Sequence, residues 1–172
     1  DPDHGGMLTL LAPADENGER RLTTHTFDQI NGHERLLKTS VCGLNSCGTQ
    51  DELVTDYDYY LGDGQVKTVK HTNGINSLSQ TTTYTYDDNS AGRVIVEDGP
   101  LSGTDDAVYS QYDTAGRKTW SIGAKNQQNR RVAQRYTYRH QDNQIEKIET
   151  GTLTSGTATS LQVFATSTTT YD

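Results

Sequence analysis

The chain has 172 residues, 19.0 kDa, the size of one domain or of a length of a larger one. Its net charge of −8 and pI near 5.0 disfavour nucleic acid as a partner, which needs clustered Lys and Arg. A hydrophobic fraction of 31% with few Leu, Ile, Val and Phe leans toward disorder, but the modest charge, ten Tyr and abundant Thr favour folded β-structure with a thin, tyrosine-lined core.

No apolar run approaches the roughly 18 residues of a membrane span. The start, Asp1-Pro2-Asp3-His4, lacks the basic and apolar regions of a signal peptide. Residues 1–22 form a flank whose signals are the apolar run Met7–Leu11 and the turn-like Asp15-Glu16-Asn17-Gly18, which predict a hairpin of Met7–Pro13 against Glu19–Leu22, or a partial repeat.

From residue 23 a repeating pattern begins. The first unit carries Phe27-Asp28, a turn at Gly32 and a return strand Arg35–Val41. The second carries Tyr57-Asp58, a turn ending in Asp63-Gly64 and a return from Gln65 to His71; Asp-Gly between alternating strands is a strong hairpin signal. The third has Tyr84, Tyr86-Asp87, then Gly92-Arg93 and Val94–Val96.

The fourth unit states the pattern most fully. Val108, Ser110 and Tyr112 alternate into Asp113, a turn closes at Gly116-Arg117, and Lys118, Trp120 and Ile122 share the next face until Gly123 is expected to stop the strand. The fifth runs from Gln134 through Tyr136 and Tyr138-Arg139 to Asn143, then Gln144 to Gly151; Asn stands for Gly because it also tolerates a left-handed backbone. A sixth starts at Thr168 with Tyr171-Asp172. Arg131–Arg135 comes nearest to a helical period and is too short to be one.

The turn residues Gly32, Gly64, Gly92, Gly116 and Asn143 are spaced 32, 28, 24 and 27 apart. A period of that size signals units that cannot bury a face alone and must stack on their neighbours. Residues 23–172 therefore hold about five hairpin repeats and the start of a sixth. The expected fold is all-β: antiparallel hairpins laid side by side in a twisted, curved sheet strip.

Tyr-x-Tyr-Asp followed by Gly-Arg, at Tyr84/Tyr86-Asp87/Gly92-Arg93 and Tyr112-Asp113/Gly116-Arg117, resembles the YD repeat of the Rhs family, with degenerate copies at Phe27-Asp28, Tyr57-Asp58 and Tyr136/Tyr138. Gln65 and Gln144 depart from the pattern where Arg is expected, Arg139 where Asp is expected, and Ser110 where the first Tyr of the fourth unit is expected. The resemblance implies a sheet strip that winds into a hollow shell. In bacterial Rhs proteins and toxin-complex B and C subunits such a shell encloses a C-terminal toxin polypeptide. Wall-associated bacterial proteins carry related runs, and teneurins use the shell in adhesion. It also implies a secreted or cell-surface protein whose partners are the remaining repeats, an enclosed polypeptide, or a glycan or surface protein. This chain would then be a length of a larger protein, open to edge-to-edge self-association.

Residues that invite a catalytic reading have plainer ones beside them. Tyr at one strand position in successive units reads as a packing ladder before a ligand platform. Arg93 and Arg117 can pair with Asp87 and Asp113 of their own hairpins. The carboxylate pairs Asp56/Asp58, Asp87-Asp88 and Asp105-Asp106 are of the kind glycosidases use, yet they sit in or beside turns, where adjacent side chains diverge. His4, His25, His33, His71 and His140 do not fall at ligand spacing, and no serine has a nucleophile-elbow context. Cys42 and Cys47 either close a small disulfide loop or stay as two thiols; alone they are half of a zinc site. The expectation is a structural protein without catalytic residues, metal or cofactor, or else a surface module recognising glycan or protein through a Tyr/Thr-rich face, with Trp120 as the contact to examine first.

Overall fold

A computed structural model describes residues 6–43, 47–48, 51–88, 92–153 and 160–171. Those residues contain twelve β-strands and no helix: β1 (Met7–Leu11), β2 (Leu22–Ile30), β3 (His33–Cys42), β4 (Leu53–Tyr59), β5 (Val66–Asn73), β6 (Ser79–Tyr86), β7 (Val94–Asp98), β8 (Val108–Tyr112), β9 (Lys118–Lys125), β10 (Arg131–Tyr138), β11 (Ile145–Leu153) and β12 (Leu161–Thr168). The fold is all-β and antiparallel, and the chain forms two compact units, Asp1–Thr83 and Tyr84–Asp172. β6 runs from the first into the second.

Within the first unit β1 to β6 lie side by side in chain order, so every connection is local. One directly paired row crosses all six strands: Leu8, His25, Thr39, Thr55, His71 and Gln80. His25 Nδ1 meets Thr39 Oγ1 at 3.0 Å and His71 Nδ1 meets Thr55 Oγ1 at 3.0 Å, so hydroxyls and imidazoles satisfy one another across strands. Beside this row, Val41, Leu53, Thr55, His71, Leu78 and Gln80 border an open groove of about 530 Å³.

In the second unit β7 to β12 also follow chain order. The small core is Ile122, Ala133 and Leu153, with Tyr109, Trp120 and Leu161 packed against it. Arg131, only 6% exposed, serves that core: it donates to the carbonyls of Thr104, Ala107 and Gly123, and its guanidinium lies 4.9 Å from the Tyr109 ring centroid. A buried cation is tolerated because three backbone acceptors and a ring face replace its water. The same contacts hold the 101–106 loop against β9.

Turns set the register. Asn31 and Gly32 both have positive φ (53° and 75°), the two-residue turn that matches strand twist, and Ile30 pairs with His33 across it. In the Asp113 turn, the carboxylate accepts from the N–H groups of Ala115 and Arg117 while Gly116 takes φ 82° and its N–H donates to the Asp113 carbonyl. Asp15 does the same for Asn17 and Glu19 with Gly18 at φ 79°, and Asn126 for Gln128 and Arg130 with Asn129 at φ 58°.

Three expectations are corrected. The N-terminal hairpin exists, but β1 pairs with Leu22–Thr26, which is the start of β2, instead of Glu19–Leu22; Glu19 belongs to the turn. Gly123 does not end its strand, which continues to Lys125. The sixth unit starts earlier than Thr168: β12 already runs from Leu161, and Asp172 lies outside the described residues.

Candidate functional site

The repeat-motif residues converge on the turn-proximal ends of the hairpins. At three of them a tyrosine sits at a β-bulge just before the turn, opposite the first residue of the return strand: Tyr59 faces Val66, Tyr112 faces Lys118 and Tyr138 faces Ile145, whereas the bulge at Phe27 lies farther from its turn and faces Leu36, the fourth residue of β3. The bulge at each tyrosine raises the local twist and re-aims that ring along the sheet. Its hydroxyl then reaches the preceding hairpin. Tyr59 donates to the Leu36 carbonyl (2.7 Å), Tyr112 to Val94 (3.4 Å), Tyr138 to Lys118 (2.8 Å) and Tyr171 to Ile145 (2.9 Å).

Arginines complete the link in the other direction. Arg93 lies 5.0 Å from the Tyr112 ring centroid, Arg117 lies 4.8 Å from that of Tyr138, and Arg139 lies 5.0 Å from that of Tyr171. Each guanidinium is oriented by a carboxylate of its own hairpin: Asp87 holds Arg93 at 2.8 Å, Asp113 holds Arg117 at 2.7 Å, and Asp142 approaches Arg139 at 3.6 Å. Arg117 also donates to the Asn143 side chain in the next turn, at 2.6 Å. The second unit is thus threaded from turn to turn, Asp to Arg to the next Tyr, with a shallow cleft of about 250 Å³ where Asp87, Arg93, Tyr112, Asp113 and Thr114 meet.

The electrostatics follow from the contacts. Hydrogen bonds from Arg117 hold the Asp113 carboxyl below its usual range. Burial pushes the Tyr138 phenol up, Asp113 adds to that, and Arg117 opposes it. Burial raises the Tyr59 phenol and the Arg35 charge opposes it; the Arg35 guanidinium lies against Gly64 in the turn of the next hairpin. Burial and the Glu97 charge raise Tyr84.

Several sequence-selected residues stand elsewhere. Tyr57 and Asp58 lie within β4, where Tyr57 pairs with Val69 and Asp58 meets Lys67 at 3.5 Å. The register gives the ladder position to Tyr59 instead. Tyr136 donates to Gln134 within its own strand. Asp28 accepts from the Gln29 N–H in the exposed part of β2. Trp120 is part-buried and has the Arg135 guanidinium 5.6 Å from its ring centroid, with Arg135 held in turn by Glu149 at 2.7 Å. Cys42 and Cys47 are joined as a disulfide.

Sequence reading passed over Arg35, Tyr59 and Arg139 as ladder members. Counting back from the turn would have excluded Tyr57, which stands seven before Gly64, and left Tyr59 and Tyr60, since the ladder aromatic stands four to six residues before the Gly or Asn of left-handed backbone. Four of the flagged carboxylates have a local partner: Asp105 pairs with Lys125 at 2.7 Å, Asp106 accepts from the Leu101 N–H, Asp87 holds Arg93 and Asp58 meets Lys67, while Asp56 lies in register between Lys38 and Lys70.

No family description matches the chain, and no curated protein is similar to it. Among solved structures it is similar to part of a chain in the crystal structure of TcdB2-TccC3-Cdc42, at 15% identity and a TM-score of 0.52. The match covers 95% of this chain and 9% of that one, so this chain spans less than a tenth of the length of that neighbour. At that identity the likeness concerns the fold: a strip of successive antiparallel hairpins.

Proposed function

We propose that the chain is a non-catalytic structural length of an Rhs/YD-type shell, which in the whole protein encloses or presents a C-terminal, toxin-like polypeptide outside the cell or at its surface. The observation that carries this reading is the tyrosine hydroxyl placed on a carbonyl of the preceding hairpin, repeated at Tyr59, Tyr112, Tyr138 and Tyr171. These residues serve continuity between hairpins, which is the requirement of a wall. The fold likeness to part of the TcdB2-TccC3-Cdc42 structure supports the same reading.

Limited proteolysis of the product of the whole gene tests it. A passenger segment resistant to protease while the repeats are folded, and degraded once they are denatured, is the expected outcome. Equal susceptibility in both states would refute enclosure.

The groove beside Leu53, His71 and Leu78 favours a second reading, a surface module that recognises glycan or protein. Binding on a glycan array that Leu53→Asp or His71→Ala removes would support that reading over the wall.

A further inference from the structure

The connection from β3 to β4 gathers ligating atoms that the ladder does not use. Cys42, the last residue of β3, is fully buried, and its disulfide partner Cys47 lies 5.1 Å away between Cα atoms. Glu52, just before β4, accepts a hydrogen bond from the Gly48 N–H at 2.8 Å through Oε2. Both sulfurs and a Glu52 carboxylate oxygen lie within 4.8 Å of one another.

We propose that, once this disulfide is reduced, Cys42, Cys47 and Glu52 form a three-ligand site for Zn²⁺ or another thiophilic divalent cation. The connection would then be stapled in both redox states, by a covalent bond in an oxidising compartment and by a metal in a reducing one.

Two features support the site. Two ligands stand on backbone held independently of the disulfide: Cys42 pairs with Leu22 in the sheet, and the Glu52 carbonyl accepts the Gly74 N–H at 2.8 Å. The third, Cys47, is exposed and adjoins Gly48, whose N–H already holds the Glu52 carboxylate.

The chemistry balances with a dithiol as reductant. Its thiolate attacks the sulfur of the surface residue Cys47, Cys42 leaves as thiolate and takes a proton, and the second thiol of the reductant displaces Cys47 while the reductant closes to its own disulfide. Metal binding then releases the two thiol protons, with the Glu52 carboxylate as third ligand and water as fourth. Cys47 and Glu52 are what distinguish this site from an isolated buried thiol.

Anaerobic titration of the reduced chain with Cd²⁺, followed by thiolate-to-metal charge-transfer absorption, tests the assignment. One Cd²⁺ per chain is expected, with no band in Cys47→Ser and affinity lowered about tenfold or more in Glu52→Gln. Absence of the band, or equal affinity in Glu52→Gln, overturns the site. The unmodified chain gives a second measurement: Zn²⁺ should slow re-formation of the disulfide by an added disulfide oxidant, and an unchanged rate would equally overturn it.

Discussion

Asp113 and Arg117 show how much one turn can carry. The Asp113 carboxylate closes the turn through two backbone N–H groups and orients Arg117, and Arg117 covers the Tyr138 ring and reaches Asn143. In the next hairpin Arg139 stands where Asp stood and Gln144 where Arg stood, yet a guanidinium still covers the following ring, because Arg139 reaches Tyr171 itself. The residue types shifted along the chain while the contact was kept. Tyr138→Phe removes the hydroxyl that satisfies the Lys118 carbonyl, and should lower stability by about 1 kcal/mol in denaturant unfolding. Gly116→Ala should cost about 1–2 kcal/mol, since φ there is +82° and a Cβ would come 2.6 Å from Arg93 Nη1. Asp113, Glu149 and Asp105 are each held below the usual carboxylate range, first by hydrogen bonds from Arg117, Arg135 and Lys125 respectively. Their contribution to stability is complete above the unfolded-state value near 4 and is lost as pH falls through the lower folded values. Thermal melting should therefore be flat from about pH 6 down to about pH 5 and fall below about pH 4. A transition in Asp113→Asn with the same acid dependence would count against that carboxylate.

Strands extend or bend here for reasons that lie in their neighbours. Gly151 sits in β11 where β12 shifts register, and a Cβ at that position would collide with the backbone carbonyl of Gln162. The glycine thus permits close approach of β12 instead of ending β11. Gly123 has the same character in milder form, since a Cβ there would lie 3.4 Å from the Val132 carbonyl oxygen. Gly151→Ala should destabilise by about 1–3 kcal/mol and raise amide exchange in Leu161–Thr168 above that in β8 and β9. Uniform exchange across the second unit would rule out this local origin. The expected stop at Gly123 was misplaced because glycine in a strand has two meanings, a break or a close backbone approach, and only the partner strand distinguishes them.

Across the whole molecule, a core of a few buried apolar residues leaves much of the stabilisation to backbone ladders and cross-strand pairs. The outermost strand of each unit is exposed. Every residue of β1 is solvent-exposed, Met7, Leu8, Leu10 and Leu11 among them, and β12 is exposed beyond Leu161, with Phe164 65% accessible. Apolar strands of this kind with an open hydrogen-bonding edge are templates for further pairing. Concentration-dependent association by light scattering is the expected behaviour, reduced by Leu8→Lys with Leu10→Lys, because charge on an edge strand opposes pairing. A scattering mass equal to one chain at all concentrations would exclude it.

The hairpins, their order and the all-β class were legible in the residue pattern, because turn chemistry and alternation are local and antiparallel neighbours in sequence become neighbours in space. So were Asp87–Arg93 and Asp113–Arg117, whose partners lie within one turn. The ladder of rings was only partly legible. Tyr57-Asp58 satisfies the motif as a string, but the bulge between Asp58 and Tyr59 assigns the inter-hairpin contact to Tyr59, and Arg35 and Arg139 enter through spatial proximity to the next hairpin. Cys42 and Cys47 admitted two readings until their geometry paired them, and Glu52 joined them only through the folding of its loop. Local chemistry therefore determined each tooth of the strip. Which side chain faces which neighbour was decided by bulges and register, and those depend on two strands at once.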